Sequence, residues 1–101
     1  MAATKMKIAA EGGVAKVQVL IRHPQENGRR KDEAGNLIPA HFLKTMTISL
    51  NGAPVTTIDL TSGVSKNPLI GVNLTANGGD MVGVAWTDSN GESETIEKAV
   101  P

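Results

Sequence analysis

The side chains best suited to chemistry in this sequence are its two histidines, His23 and His41. An imidazole can bind zinc or transfer a proton, and Glu26 or Asp32 could act with His23 in general acid–base catalysis. A zinc site needs at least one further ligand, and the sequence has no close ligand pair such as His-x3-His. No nucleophile or cofactor motif accompanies the histidines. We therefore expect no catalytic site, metal site or cofactor, with His23 ending one strand before Pro24 and His41 beginning the next.

Three other motifs have simple interpretations. Residues 88–92, Asp-Ser-Asn-Gly-Glu, contain a fragment of a calcium-binding loop but lack its further acidic ligands, so we predict a hairpin turn between the last two strands. Asn73-Leu74-Thr75 matches the N-glycosylation sequon, but it falls inside an alternating strand and is interpreted as a chance match. Trp86 ends the apolar face of the penultimate strand, and its expected place is the core.

The composition excludes several classes of function. Cysteine is absent, which excludes disulfides, thiolate zinc sites and cysteine nucleophiles. Ten basic residues balance ten acidic ones, so the chain has no overall attraction for nucleic acid or anionic membranes. Phe42 and Trp86 are the only aromatic residues, which argues against base-stacking platforms for single-stranded nucleic acid. We expect neither a nucleic-acid nor a membrane partner.

The length and the N-terminal sequence suit one small domain over residues 1–101. Lys5 and Lys7 interrupt any apolar segment near the N-terminus, so no signal peptide is visible. No run approaches the ~20 apolar residues of a membrane-spanning helix. Taken alone, these features favour a cytosolic protein.

Alternating apolar residues lie between a series of turn signals. Asn-Gly pairs at 27–28, 51–52, 77–78 and 90–91 favour the positive φ angles of tight hairpin turns. Between them the period is two, in the runs Val17, Val19, Ile21; Met46, Ile48, Leu50; Ile58, Leu60; Ile70, Val72, Leu74; and Val82, Val84, Trp86. With further strands near residues 5–10 and 93–100, the pattern predicts about seven strands and no helix. Their apolar faces must pack together, so we predict an all-β, immunoglobulin-like antiparallel β-sandwich.

One segment, residues 24–40, lacks this alternation and is long for a connection in a sandwich. Its basic residues and the preceding Arg22 could donate charge-assisted hydrogen bonds to an oxyanion or to acidic groups of a partner. They could equally pair with acidic residues of the same segment. The basic set is Arg22, Arg29, Arg30 and Lys31, and the acidic set is Glu26, Asp32 and Glu33.

Several separated blocks of the sequence form a recognisable series. They are Gly12-Gly13-Val14-Ala15-x-Val17-x-Val19-Leu20-Ile21, His23-Pro24-x-Glu26-x-Gly28-x-Arg30-Lys31-Asp32 with Gly35, Ile38-Pro39-Ala40-His41-Phe42, Asn51-Gly52-x-Pro54-Val55, Val64-Ser65-Lys66-Asn67-Pro68 and Trp86-x-Asp88-x-x-Gly91-Glu92-Ser93. In this order and spacing they resemble the SoxZ family over nearly the whole chain. The chain departs from the family's usual methionine at Gln25, its threonine or serine at Asn27 and its frequent aromatic residue at Leu69.

The resemblance implies a specific role. SoxZ proteins are immunoglobulin-like, non-catalytic subunits that form an obligate heterodimer with SoxY, whose arm cysteine carries sulfur intermediates during thiosulfate oxidation. The carrier makes transient contact with other Sox enzymes in the periplasm. SoxZ is thought to be exported there folded, together with SoxY and without a signal peptide of its own, so the resemblance replaces the cytosolic expectation.

Two surfaces are expected to serve that role. The docking loop, expected to contact the carrier arm or the other enzymes, comprises Arg22, His23, Pro24, Glu26, Arg29, Arg30, Lys31 and Asp32. The SoxY interface should be apolar, because obligate interfaces are, and its expected residues lie on the strand faces opposite the core: Leu20, Leu43, Leu69 and Met81. The alternatives are a generic immunoglobulin-like adhesion or interaction module, and a small hydrolase or metal enzyme that uses His23 and His41.

Overall fold

A computed structural model of the chain describes residues 4–26, 28–61, 64 and 66–101. These residues form seven β-strands: β1 (Thr4–Glu11), β2 (Val14–Ile21), β3 (Leu43–Leu50), β4 (Ala53–Asp59), β5 (Leu69–Thr75), β6 (Met81–Asp88) and β7 (Ser93–Ala99). Within those ranges no helix is long and apolar enough to cross a membrane.

The strands form two antiparallel sheets that pack face to face. One sheet has the order β1-β2-β5 and the other has the order β4-β3-β6-β7. All neighbouring strands are antiparallel. The prediction of an all-β, seven-stranded antiparallel sandwich is confirmed.

The core lies between the sheets and is built from the period-two apolar residues. Val17, Val19 and Ile21 of β2 are buried, as are Val82 and Val84 of β6. Each strand presents its alternate residues to the opposite sheet, which is why the sequence period predicted the buried face.

Trp86 joins the two sheets from within the core. Its ring is buried, and its indole Nε1 donates a hydrogen bond of 2.6 Å to the hydroxyl of Thr4, which belongs to the other sheet. A buried indole N–H needs such a partner. The predicted core position of Trp86 is confirmed.

Leu43 does not lie on an outer face, and that part of the interface prediction is wrong. The pairing of β3 with β6 shifts between Leu43 and Thr45, so Leu43 pairs with Asp88 while Thr45 pairs with Thr87. A β-bulge of this kind adds one residue and changes which face the preceding side chain occupies. Leu43 is therefore fully buried in the core, three residues before the buried Met46.

Two hairpin turns have tight geometry, and the second of them lies at a predicted Asn-Gly pair. Gly12 and Gly13 connect β1 to β2 with φ angles of 58° and 80°, and Asn51 and Gly52 connect β3 to β4 with φ angles of 52° and 85°. Two consecutive residues with positive φ are typical of the type I′ turn, which matches the twist of a hairpin.

The pair Asn77-Gly78 behaves differently from the hairpin that its sequence predicts. It follows β5 of one sheet and precedes β6 of the other, so it lies in a connection between sheets. Asn27, the first residue of another predicted turn pair, lies outside the described residues.

Candidate functional site

Three chain segments meet at one end of the sandwich. His23 follows the end of β2, His41 precedes the start of β3, and Asp88 is the last residue of β6. The backbone of His23 is fixed by Asn67, whose Oδ1 accepts the His23 amide at 3.0 Å and whose amide donates to the His23 carbonyl at 3.1 Å. His41 is held by paired backbone hydrogen bonds with Glu26.

The side chains of these segments form a compact group, the His–Asp–His cluster (His23, His41 and Asp88). The Nε2 atoms of both histidines lie 2.9 Å from the same oxygen, Oδ2 of Asp88. The imidazole centroids are 4.4 Å apart, with the rings inclined at 64°. The side chains of His23 and Asp88 are 3% and 0% exposed, whereas that of His41 is 27% exposed. Solvent therefore reaches the cluster from the His41 side.

The other oxygen of Asp88 organises the following turn. Oδ1 accepts the amides of Asn90 and Glu92 at 3.0 and 2.9 Å. Burial by itself raises the pKa of the Asp88 carboxyl, but the hydrogen bonds from the two histidines and from these two amides outweigh it. The pKa of Asp88 therefore lies below its ordinary value. The predicted hairpin turn between the last two strands is confirmed.

The hydrogen bonds indicate which nitrogen of each imidazole carries a proton. A carboxylate only accepts, so both histidines present an Nε2–H to Asp88. The remaining nitrogen of His23, Nδ1, faces the amide of Gln25 at 3.5 Å, a long contact in which it acts as acceptor. The cluster as it stands is a hydrogen-bonded network around one buried carboxylate. The same three side chains also offer ligand atoms that lie within 4.8 Å of one another, a spacing that could hold a metal ion.

Two of the three residues of the cluster, the histidines, could be recognised as candidate site residues in the sequence. Both histidines were correctly expected near strand ends, but Asp88 was considered only as a turn residue. The three residues approach one another across separations of 65 and 47 positions. A usable signal exists in the period of two. His23 continues the buried series of Val17, Val19 and Ile21, and Asp88 continues the buried series of Val82, Val84 and Trp86.

His23 does not belong to an exposed docking rim, contrary to expectation. It is only 4% exposed, because its ring is held against Asp88 and meets the edge of Trp86 at a centroid distance of 5.7 Å. Of the docking-loop residues, Arg22, Pro24, Arg29, Arg30, Lys31 and Asp32 are exposed, and Glu26 is half-buried.

Described residues of the docking loop pair in a hairpin-like way with residues of the segment that follows it, 34–41. Isolated bridges join Glu26 to His41 and Lys31 to Leu37. At its tip, Oδ1 of Asp32 accepts the amides of Ala34 and Asn36 at 2.9 and 3.0 Å. Local hydrogen bonds of this kind stabilise a turn without a hydrophobic core.

Within the docking loop, Arg30 pairs with Glu26. The Arg30 Nε lies 3.2 Å from each carboxylate oxygen of Glu26, and the hydrogen bond from Arg30 lowers the pKa of that carboxyl. The sequence left open whether the basic residues bind a partner or pair with acidic residues of the same segment. Arg30 pairs within the segment, with Glu26. The Arg30 side chain is 66% exposed, so solvent screens the ion pair and it adds little stability.

Gln25 fixes the start of the docking loop, although the sequence marked it only as a departure from the family's usual methionine. Its side-chain oxygen accepts the amide of Leu43 at 2.7 Å. Its side-chain amide donates to the carbonyls of Thr61 and Val64 at 3.2 and 3.3 Å. Gln25 also has a positive φ of 53°, which is uncommon outside glycine and asparagine. One side chain thus joins the loop to β3 and to the segment after β4.

The structure brings together only two of the four residues expected at the SoxY interface. Leu20 and Leu69 are paired across β2 and β5, and Leu69 is 65% exposed. They line a shallow depression of about 360 Å³ with Lys5, Lys7 and Gln18. Met81 is 37% exposed but belongs to the other sheet, where it pairs with Ala99.

Comparison with known proteins identifies the family. The family model described as "Sulphur oxidation protein SoxZ" matches residues 4–99 of the 101-residue chain. No curated protein matches the chain. The family match spans all seven strands, the docking loop and the His–Asp–His cluster. The chain therefore belongs to the SoxZ family of sulfur oxidation proteins.

Proposed function

We propose that this protein is the non-catalytic subunit of a SoxYZ sulfur carrier, in which it pairs with SoxY as an obligate heterodimer. SoxY supplies the arm cysteine that carries the sulfur intermediates of thiosulfate oxidation. The observation that carries the proposal is the family match over residues 4–99, in a chain that has no cysteine of its own. A chain without a thiol depends on a partner to bind sulfur covalently.

The SoxY interface is proposed to lie on the outer face of the β1-β2-β5 sheet. Leu69 is the most exposed large apolar side chain among the described residues, and Leu20 lies beside it. Stable partners bury apolar anchors that are surrounded by polar groups, and Lys5, Lys7 and Gln18 provide such a surround. The exposed Met81 belongs to the other sheet, whose surface is the alternative position for the SoxY interface.

A pair of matched substitutions distinguishes the two faces. Leu69→Glu should weaken the heterodimer at least about tenfold, because it places a charge in the buried centre of the interface. Met81→Glu, which introduces the same charge on the other sheet, should leave the affinity unchanged. Surface plasmon resonance with immobilised SoxY measures both, and thermal unfolding of each variant verifies that it is folded. The reverse pattern would place the interface on the β4-β3-β6-β7 sheet.

The docking loop is proposed to make the transient contacts of the carrier. Backbone hydrogen bonds join its residues Arg30 and Asp32 to Ile38 and Asn36, and Arg22, Arg29 and Lys31 are exposed. Charged surfaces of this kind accelerate encounter and set specificity without producing a long-lived complex. Such contacts suit a carrier that must leave each enzyme and visit the next.

The working compartment is proposed to be the periplasm, which the protein would reach folded in the heterodimer. Fractionation of cells that express the chain with and without SoxY tests this. The chain should be periplasmic only when SoxY is present, and export that does not depend on SoxY would contradict the proposal.

A further inference from the structure

We propose that the His–Asp–His cluster is a binding site for one divalent transition-metal ion, with Zn²⁺ as the best-fitting ion. Two imidazole nitrogens and one carboxylate oxygen converge within 4.8 Å of one another. This departs from the expectation drawn from the sequence, which considered the histidines without Asp88. The proposal does not depend on the pairing with SoxY.

The distances fit a metal ion after a small adjustment. Zinc binds imidazole nitrogen and carboxylate oxygen at about 2.0–2.2 Å, so neighbouring ligand atoms of a tetrahedral ion lie roughly 3.4 Å apart. The Nε2–Oδ2 separations in the cluster are 2.9 Å. Each separation must therefore lengthen by about half an ångström to admit the ion. Side-chain rotation of the half-buried His41 supplies one of these shifts, and a small displacement of the His23 ring from the Asp88 carboxylate supplies the other.

The set of donor atoms selects the class of ion. Imidazole nitrogen with carboxylate oxygen suits zinc and the late first-row metals, whereas calcium and magnesium prefer oxygen ligands throughout. Oε2 of Glu92 lies 3.6 Å from Nε2 of His41, and the Glu92 side chain is 65% exposed. Glu92 or water can therefore complete four-coordination on the solvent side.

The surroundings preorganise the ligands. Oδ1 of Asp88 is already fixed by two backbone amides, and hydrogen bonds to a ligating carboxylate are a usual part of metal sites. Asn67 holds the backbone of His23. The buried His23 and Asp88 form the floor of the site, and the partly exposed His41 provides the entry path.

The proton balance of binding is simple. Each neutral imidazole gives the lone pair of Nε2 to the ion, and its proton moves from Nε2 to Nδ1. The two hydrogen bonds to Asp88 are replaced by three bonds to the metal. His23 also loses its 3.5 Å contact with the amide of Gln25.

The sole tryptophan provides a reporter for the test. Trp86 lies 5.7 Å from the ring of His23, so Co²⁺ or Cu²⁺ in the cluster should quench its fluorescence. Zn²⁺ should reverse the quenching by competition. The full chain, freed of any polyhistidine tag, should bind one equivalent of Co²⁺ and show the intense visible absorption of a tetrahedral cobalt complex.

The decisive variant is His41→Gln, which keeps a hydrogen-bond donor near Asp88 but removes a good metal ligand. We expect it to bind Zn²⁺ at least about 100-fold more weakly than the unmodified chain while it remains folded. Asp59→Asn, at an exposed position of β4, is the control and should bind like the unmodified chain. The proposal is overturned if the unmodified chain shows no saturable one-site binding, or if His41→Gln binds with unchanged affinity.

Discussion

At the scale of single residues, the central feature is a carboxylate buried at the end of the sandwich. The Asp88 side chain is fully buried and accepts two hydrogen bonds at each oxygen. A buried charge is tolerated when its hydrogen-bonding capacity is filled in this way. The carboxylate thereby joins the ends of β2 and β6 to the residues that precede β3.

Substitution of Asp88 by asparagine should lower the free energy of unfolding by about 3 kcal/mol at neutral pH. The new amide group would place its hydrogens against imidazole or backbone donors that Asp88 now satisfies. Because the pKa of Asp88 is lowered in the folded state, its contribution is complete above the unfolded pKa of about 3.9 and is lost as the pH falls toward the folded value. Urea unfolding of the unmodified chain and of Asp88→Asn at a series of pH values measures the difference between their free energies of unfolding.

The gap in stability between the unmodified chain and Asp88→Asn should therefore narrow as the pH falls below about 4. Asp59→Asn removes the same charge from an exposed strand position and should stay within about 0.5 kcal/mol of the unmodified chain. The difference in free energy of unfolding between the unmodified chain and Asp88→Asn could instead be constant from neutral to strongly acidic pH. That result would show that the ionised carboxylate is not what stabilises the fold.

The sequence could predict the place of each histidine but not the contact between them. Pro24 and the period-two runs put His23 and His41 near strand ends. The meeting with Asp88 depends on which strand ends lie together, and this requires the sheet order. The same limit explains why His23 was expected in the docking loop with Arg22 and Arg30, although its side chain is buried against Asp88.

At the scale of elements, the docking loop depends on the side chain of Gln25. Three hydrogen bonds from that side chain reach Leu43 in β3 and the carbonyls of Thr61 and Val64. The family's usual methionine at this position cannot make them. The loop of this chain is thus fastened by polar contacts, where a methionine would fasten it by apolar packing.

Replacing Gln25 by alanine should lower the free energy of unfolding by about 1–3 kcal/mol, because the Leu43 amide loses its acceptor. Hydrogen exchange should show faster exchange at the Leu43 amide and at the paired amides of Glu26 and His41. Gln18→Ala, at an exposed position of β2, is the matched control and should change stability by less than about 0.5 kcal/mol. Equal effects of the two substitutions would refute the role of Gln25.

The strands themselves could be predicted from the sequence, while their irregularities could not. Each period-two run became a strand because a sandwich has one buried face per sheet. The bulge between Leu43 and Thr45 inserts a residue that no local pattern marks, and it moved Leu43 into the core. Asn77-Gly78 resembles a hairpin turn locally, but the change of sheet at this point is a property of the topology.

At the scale of the whole molecule, three features of the sandwich can be distinguished. Its two sheets enclose the core, one outer face presents the Leu20–Leu69 pair, and one end carries the His–Asp–His cluster with the docking loop. The molecule measures 53 × 23 × 20 Å, longer than the ~27 Å of an eight-residue strand. An elongated subunit of this kind can bind a permanent partner on one face while its loop remains open to others.

Reversal of the charges of Arg30 and Lys31 by substitution with glutamate tests the docking loop. The variant should form the heterodimer normally but slow the thiosulfate-dependent turnover of the reconstituted Sox enzymes, most strongly at low salt. Because Arg30 pairs with Glu26, the exchange Glu26→Arg with Arg30→Glu serves as a control that keeps the ion pair. If heterodimer formation and turnover are both unchanged in the Arg30 and Lys31 variant, the docking role is wrong.

The pairing with SoxY is the central claim, and co-purification tests it most directly. The tagged chain would be co-expressed with the cysteine-bearing SoxY of the same genome and passed over a size-exclusion column with mass detection. We expect a one-to-one heterodimer that survives dilution on the column, as an obligate interface should. A well-folded monomer that elutes without SoxY would contradict it.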